Sequence, residues 1–232
     1  MKKALVSAVA AVALLSANSA FAASFPVNLV MDTATSFINV SLGALGNLGP
    51  ITFASGNINS TVDQTGSAPP ALSVTSLGGA VAANDGTWPG VFITASLTGV
   101  SGVINPGGPF ATNGVNPGTI DLAGLTLSLN SGSLITSGLV STTVNLSSSP
   151  INVTVPTGFP ANINETPILG GYNVAIGIPV TIITNLSGIN VTVTAALNFN
   201  GTKIVPEPGS VALLAIGLVG LGLPAVRRFR RK

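Results

Sequence analysis

The central part of the chain has few of the side chains that commonly perform catalysis or hold metals. The 232-residue sequence contains no histidine and no cysteine, which excludes Ser-His-Asp triads, Cys-His pairs and zinc sites of ordinary type. The charged residues between positions 23 and 203 are Asp32, Asp63, Asp85, Asp121, Glu165 and Lys203. Their wide spacing lacks the dense acidic pattern of a calcium-binding loop. We therefore predict no catalytic residue, no cofactor and no metal site, and we expect that the chain is not an enzyme.

Two residues have both a functional and a structural interpretation. Asp32-Thr33-Ala34 resembles an aspartic-protease loop, but that chemistry needs two such carboxylates, and the sequence has no second copy. An aspartate that ends a strand is the preferred interpretation. Trp88, the only tryptophan, has a ring that could stack on a sugar, although a single tryptophan beside a strand more often packs in a core.

The charge is distributed very unevenly along the chain. Seven of the eight basic residues lie in the end segments, whereas residues 23–203 carry five acids and one base, a formal charge of −4. The high isoelectric point thus belongs to the ends. We predict no basic surface for nucleic acid and no nucleic-acid partner.

The N-terminal segment has the three regions of a secretory signal peptide. Met1-Lys2-Lys3 is followed by an apolar run over residues 4–15 and then by Ala20-Phe21-Ala22. The apolar run is short for a membrane span, and Ala20 and Ala22 are small residues at the positions that signal peptidase reads. We predict export through the Sec translocon and a mature chain that begins at Ala23.

The C-terminal segment also has three parts. Pro206 and Pro208 disfavour a helix and keep Pro206-Glu207-Pro208 extended, as a protease cleft requires. The apolar residues 211–226 would form about 24 Å of helix, slightly less than a hydrocarbon core of ~30 Å. By the positive-inside rule, a terminal basic cluster holds the C-terminus in the cytoplasm. The cluster consists of Arg227, Arg228, Arg230, Arg231 and Lys232.

These three parts in this order resemble the PEP-CTERM sorting signal over residues 205–232. The resemblance implies a Gram-negative host with an exopolysaccharide system. It also implies recognition by an exosortase, a membrane protease that acts near Pro206-Glu207-Pro208. The same tail is also known as the ice-binding protein C-terminal domain, a label that describes the tail and not an ice-binding activity. An ordinary tail anchor is the alternative.

The segment between the two ends shows the period of two that is typical of half-buried strands. Apolar and polar residues alternate, and Gly-, Pro- and Asn-rich turns separate the runs. The runs cover residues 27–31, 37–42, 72–77, 91–97, 125–130, 151–156, 172–182 and 189–200. We predict an all-β fold with a single antiparallel β-sandwich of the jelly-roll type, with a β-helix as the alternative. The polar stretch 54–70 is expected to form a long loop.

The predicted organisation has three segments, which are a signal peptide (1–22), a β-rich exported passenger (23–203) and a sorting tail with one transmembrane helix (204–232). We expect an inner-membrane intermediate with the passenger outside the cytoplasm, followed by release to the cell surface or matrix. The predicted function is a structural or adhesive role in an exopolysaccharide or biofilm context. A glycan-binding or ice-binding module is the alternative, although the sequence lacks the regular threonine array that ice binding needs.

Overall fold

The computed structural model describes residues 22–41, 47–65, 68–90, 92–138, 141–158, 160–186 and 189–205. Ala22 is the first of them, whereas Ala20, Pro206-Glu207-Pro208, the predicted span 211–226 and the basic cluster lie outside the described residues. Within the described ranges, no helix is long and apolar enough to cross a membrane.

The described residues form fourteen strands. Their bounds are β1 (Ala22–Met31), β2 (Phe37–Ser41), β3 (Asn47–Thr65), β4 (Ala71–Ala83), β5 (Gly86–Pro89), β6 (Ile93–Ile104), β7 (Gly107–Ala111), β8 (Gly118–Asp121), β9 (Thr126–Gly138), β10 (Thr142–Asn145), β11 (Ile151–Thr154), β12 (Pro160–Ile168), β13 (Gly171–Leu186) and β14 (Ile189–Ile204). All pairings among these strands are antiparallel. The prediction of an all-β, antiparallel fold is confirmed. The described strands do not form the parallel coils of the alternative, a β-helix.

The fourteen strands belong to one sheet, and ten of them follow the order β10-β9-β6-β4-β3-β1-β14-β13-β12-β8. Off this path, β2 pairs with β14 and β3, β5 with β6, and β11 with β9. β7 lies off this path and pairs with β4. Thr112, which follows β7, bridges Ile120 of β8, and its N–H donates to Leu72 O at 3.0 Å. The path β4-β3-β1-β14-β13-β12-β8-β7 therefore returns to β4. We call these eight strands the strand ring.

Each predicted alternating run overlaps a strand, because alternation gives each strand one face to bury. The longest pairing joins β13 to β14 from Gly171↔Ile204 to Leu186↔Ile189. Inward residues of opposite walls pack together in one cluster that includes Leu29, Ile120 and Phe199. This cluster of inward apolar side chains from one sheet is the core that the predicted antiparallel all-β fold buries.

The expectation of a loop at residues 54–70 is wrong. β3 extends to Thr65 and pairs with both β1 and β4. The alternation is hard to see in the sequence because two inward positions are polar, Ser60 and Gln64. Ser60 Oγ donates to Val27 O at 3.1 Å, so the sheet itself satisfies this buried hydroxyl.

A second, smaller apolar cluster lies in the part of the sheet formed by β5, β6, β9 and β10. Leu97, Val100 and Leu146 are buried there, and Trp88 packs against them while half-exposed. The core interpretation of Trp88 is therefore the one that the structure supports.

Candidate functional site

Both ends of the described chain leave the strand ring on the same side. β1 begins at Ala22 and runs antiparallel to β14, with Val30 opposite Asn200. β14 ends at Ile204, and the Val205 N–H donates to Gly170 O at 3.1 Å. We call this side the tail end. Five residues, 206–210, separate Val205 from the apolar segment, a reach of at most about 20 Å. An inserted apolar segment would thus keep the tail end close to the membrane.

The acidic residues that the sequence offered as candidates lie apart, and four of them support local structure. Asp32 follows β1, where its carboxylate accepts from the Ala34 N–H at 3.1 Å and the Thr35 hydroxyl at 2.8 Å. Asp85 accepts from the Gly99 N–H at 2.6 Å, and Asp121 accepts from the Ala123 N–H at 3.0 Å. Asp63 accepts from the hydroxyls of two neighbouring serines. Asp32 is therefore a turn-forming residue at a strand end.

The fifth acid, Glu165, belongs to a buried polar cluster inside the tail end. Lys203 of β14 points inward, and its Nζ atom contacts Gln64 Oε1 of β3 and Glu165 Oε2 of β12. The side chains of Lys203 and Glu165 are 0% and 1% exposed. The ring centroids of Tyr172 and Phe25 lie 4.8 Å and 5.7 Å from Nζ. A buried ammonium is costly unless it is paired, and this cluster provides both a carboxylate and two aromatic faces.

The backbone around Glu165 is fixed by Asn116. The Asn116 side chain donates to Glu165 O at 2.7 Å and accepts from the Glu165 N–H at 2.8 Å. Glu165 Oε1 is buried and has no hydrogen-bond partner among the described residues. Such oxygens are rare in folded proteins, so the Glu165 carboxyl group stands out from the other acids of the described residues.

Sequence reasoning treated Lys203 and Glu165 as isolated charges, and it missed the cluster. One signal was present, because Lys203 continues the inward phase of β14 four residues after Phe199. A lysine in phase with a buried face predicts a buried partner. The identity of that partner depends on ring closure, which no local pattern encodes.

In the part of the interior away from the tail end, apolar side chains surround a cavity of about 430 Å³. Its walls are apolar side chains, among them Ile38, Phe53, Trp88, Leu97 and Phe199. On β14, residues up to Phe199 line this cavity. Further along the same strand, the buried side chain is Lys203, which belongs to the polar cluster. Cavities of this composition stay dry when empty and accept apolar molecules.

Part of the outer face of the ring consists of neutral amide and hydroxyl groups. We call this set the outer patch, and it comprises Asn28, Asn59, Asn164, Thr166, Asn173, Asn200 and Thr202. Cross-strand pairing places them side by side, with Asn28 opposite Asn59 on β1 and β3. Thr166, Asn173 and Thr202 form a row across β12, β13 and β14. The patch spans five adjacent strands, which is about 19 Å at the usual strand spacing.

The comparisons with known proteins bear on the tail. Residues 205–231 match the family model of the PEP-CTERM protein-sorting motif. No curated protein and no solved structure matches the chain. The resemblance drawn from Pro206-Glu207-Pro208 and the segments after it is thereby confirmed. The match supports an exported protein that is sorted by an exosortase, and the motif implies a membrane-anchored intermediate.

Replacement of Glu207 by Ala should leave export intact and block processing. Residues 211–226 and the basic cluster still stop and orient the chain, whereas the protease loses the only carboxylate of its motif. We expect a membrane-bound form that is larger than the wild-type product by roughly the tail, in blots of membrane and extracellular fractions. Ser210→Ala, three residues away, is the control and should be processed normally. Equal size and distribution of the Glu207→Ala and wild-type proteins would contradict the assignment.

Proposed function

We propose that the chain is a non-enzymatic protein of the cell surface or extracellular matrix, with a structural or adhesive role in exopolysaccharide. The outer patch is the observation that carries this proposal. Its amides and hydroxyls both donate and accept hydrogen bonds, as sugar hydroxyls do. The sorting motif supports the same proposal, because it delivers the domain to the exterior.

The expected mode of binding is weak and multivalent. A hydrogen bond between neutral groups contributes about 1 kcal/mol after the exchange with water. Seven such residues on a sheet face do not form a deep pocket, so a single contact with polysaccharide is short-lived. Many copies held in one matrix would still bind firmly through avidity. Because the patch has no charge, this binding should be insensitive to salt.

The triple variant Asn28→Ala, Asn164→Ala, Asn200→Ala should lose retention on exopolysaccharide purified from the producing cells by several-fold. Wild-type retention should be unchanged between low and high salt. The matched control, Thr142→Ala, Thr143→Ala, Ser149→Ala, removes exposed polar groups outside the patch and should be retained like wild type. Equal retention of both variants would contradict the proposal. Thermal hysteresis in the same preparations would instead favour the ice-binding alternative.

The apolar cavity favours a second candidate function, the binding of a linear hydrocarbon chain. An apolar cavity of ~150 Å³ holds one benzene molecule, so about 430 Å³ holds roughly three times as many carbon atoms. The lining offers apolar side chains only, so the enclosed part of a ligand must itself be free of polar groups. An acyl chain meets this requirement when its head group stays outside.

Trp88 provides a direct reporter, since it is the only tryptophan of the chain and lies on the cavity wall. A long-chain fatty acid brominated along its chain should quench Trp88 fluorescence in a saturable way. Ala195→Leu, which fills the cavity from β14, should weaken quenching about tenfold. A short-chain acid with the same bromine is the control and should not quench at equal concentration. Equal quenching by both acids, or an unaffected Ala195→Leu variant, would exclude this second function.

A further inference from the structure

The buried cluster at the tail end brings together the three parts of an amide-forming reaction. Lys203 offers an amine, Gln64 offers a carboxamide carbon, and Glu165 offers a carboxylate that can take a proton from the amine and pass it on. We propose that Lys203 and Gln64 become joined by an intramolecular isopeptide bond, with Glu165 as the acid–base partner. This modification goes beyond the sorting and surface functions above and does not rest on them.

Proximity is the first argument. Lys203 Nζ already contacts Gln64 Oε1, and the carbon that the amine must attack is bonded directly to that oxygen. β14 and β3 hold the two side chains inside the same ring, so the reactants meet without rearrangement of the fold. Once Nζ moves from Oε1 to the adjacent Cδ, the two reacting groups are held together inside the ring, and such confinement can raise the effective concentration by several orders of magnitude.

Burial is the second argument. The exposed fractions of Lys203, Gln64 and Glu165 are 0%, 0% and 3%, and the rings of Tyr172 and Phe25 flank Nζ. Separated charges are costly in such surroundings. Transfer of one proton from Nζ to Glu165 removes both charges and leaves the neutral amine, which is the nucleophilic form. The same burial excludes the water that would otherwise hydrolyse the amide.

The reaction is balanced within the protein. The Lys203 Nζ lone pair forms a bond to Gln64 Cδ, while the Glu165 carboxyl group protonates the carboxamide and takes a proton from Nζ. The Cδ–Nε2 bond then breaks, and ammonia leaves. One C–N bond forms and one breaks, and no oxidant or co-reactant is needed. Glu165 ends as a neutral carboxylic acid, so the cluster retains no charge.

Gln64 and not Glu165 is the acyl donor in this assignment. Ammonia that reaches solvent is protonated there, which prevents the reverse reaction, whereas water released from a carboxyl group would be free to return. Glu165 also remains suited to proton transfer, because its Oε1 atom has no hydrogen-bond partner among the described residues.

The position of the bond has a mechanical consequence. Lys203 lies two residues before Val205, where the sorting tail begins. Tension on the tail would reach β3 through covalent bonds and would not peel β14 from its neighbours. The bond closes the loop from residue 64 to residue 203, and a cross-link over so long a loop strongly restricts the unfolded chain.

Mass spectrometry of the full exported chain tests the proposal. A peptic digest should contain a branched peptide that joins the segments around Gln64 and Lys203, lighter than their sum by one ammonia, about 17 Da. Trypsin gives a second readout, since Lys203 is the only lysine or arginine between residues 4 and 226. In denatured wild-type protein, trypsin should fail to cleave after the acylated Lys203.

Variants separate the reaction from the fold. Glu165→Gln keeps the size of the acid–base partner and should leave Lys203 free and cleavable by trypsin. Gln64→Met should do the same, and its melting temperature should fall by roughly 10–20 °C. Ser76→Ala, at another buried polar position, is the control and should retain the bond. Trp88 fluorescence reports whether each variant is folded.

The wild-type measurement decides the matter even if the variants fail to fold. A free Lys203 amine in the folded, exported protein would overturn the proposal. A branched peptide between Lys203 and Glu165, lighter by one water or about 18 Da, would overturn the assignment of Gln64 as the acyl donor.

Discussion

The cost of burying the Lys203 side chain constrains the whole tail end of the molecule. A charge removed from water costs several kcal/mol unless close partners compensate it. Those partners are Gln64 and Glu165, from strands that lie two places to either side of β14 in the sheet order. In a flat sheet β3 and β12 would be about 19 Å apart. Both reach one Nζ atom because the sheet curves around it.

This constraint divides the interior into two parts with different properties. At the tail end, specific polar contacts fix the last strand just before the sorting tail begins. In the other half of the interior, apolar side chains surround about 430 Å³ of unfilled volume. Packing there is less specific, and this volume is the site proposed above for a hydrocarbon chain.

Linear features were predictable from the sequence, and long-range ones were not. The sorting motif and the alternating strands are local patterns, and both are confirmed. Ring closure depends on β7, β8 and the single bridge from Thr112 to Ile120, which are too short to give a periodic signal. Ser60 and Gln64 interrupted the alternation of β3 and led to an incorrect loop. Their polarity makes sense only once Val27 O and Lys203 are placed opposite them.

The Lys203 cluster fixes the end of β14 in the strand ring. Native-state hydrogen exchange of the full exported protein tests this role of the cluster, since strand ends next to a free terminus ordinarily fray. The amides of Gly201–Ile204 that pair with β13 should be as well protected as those in the middle of the β13–β14 pair. Rapid exchange at Gly201–Ile204, with protection that begins only near Phe199, would contradict it.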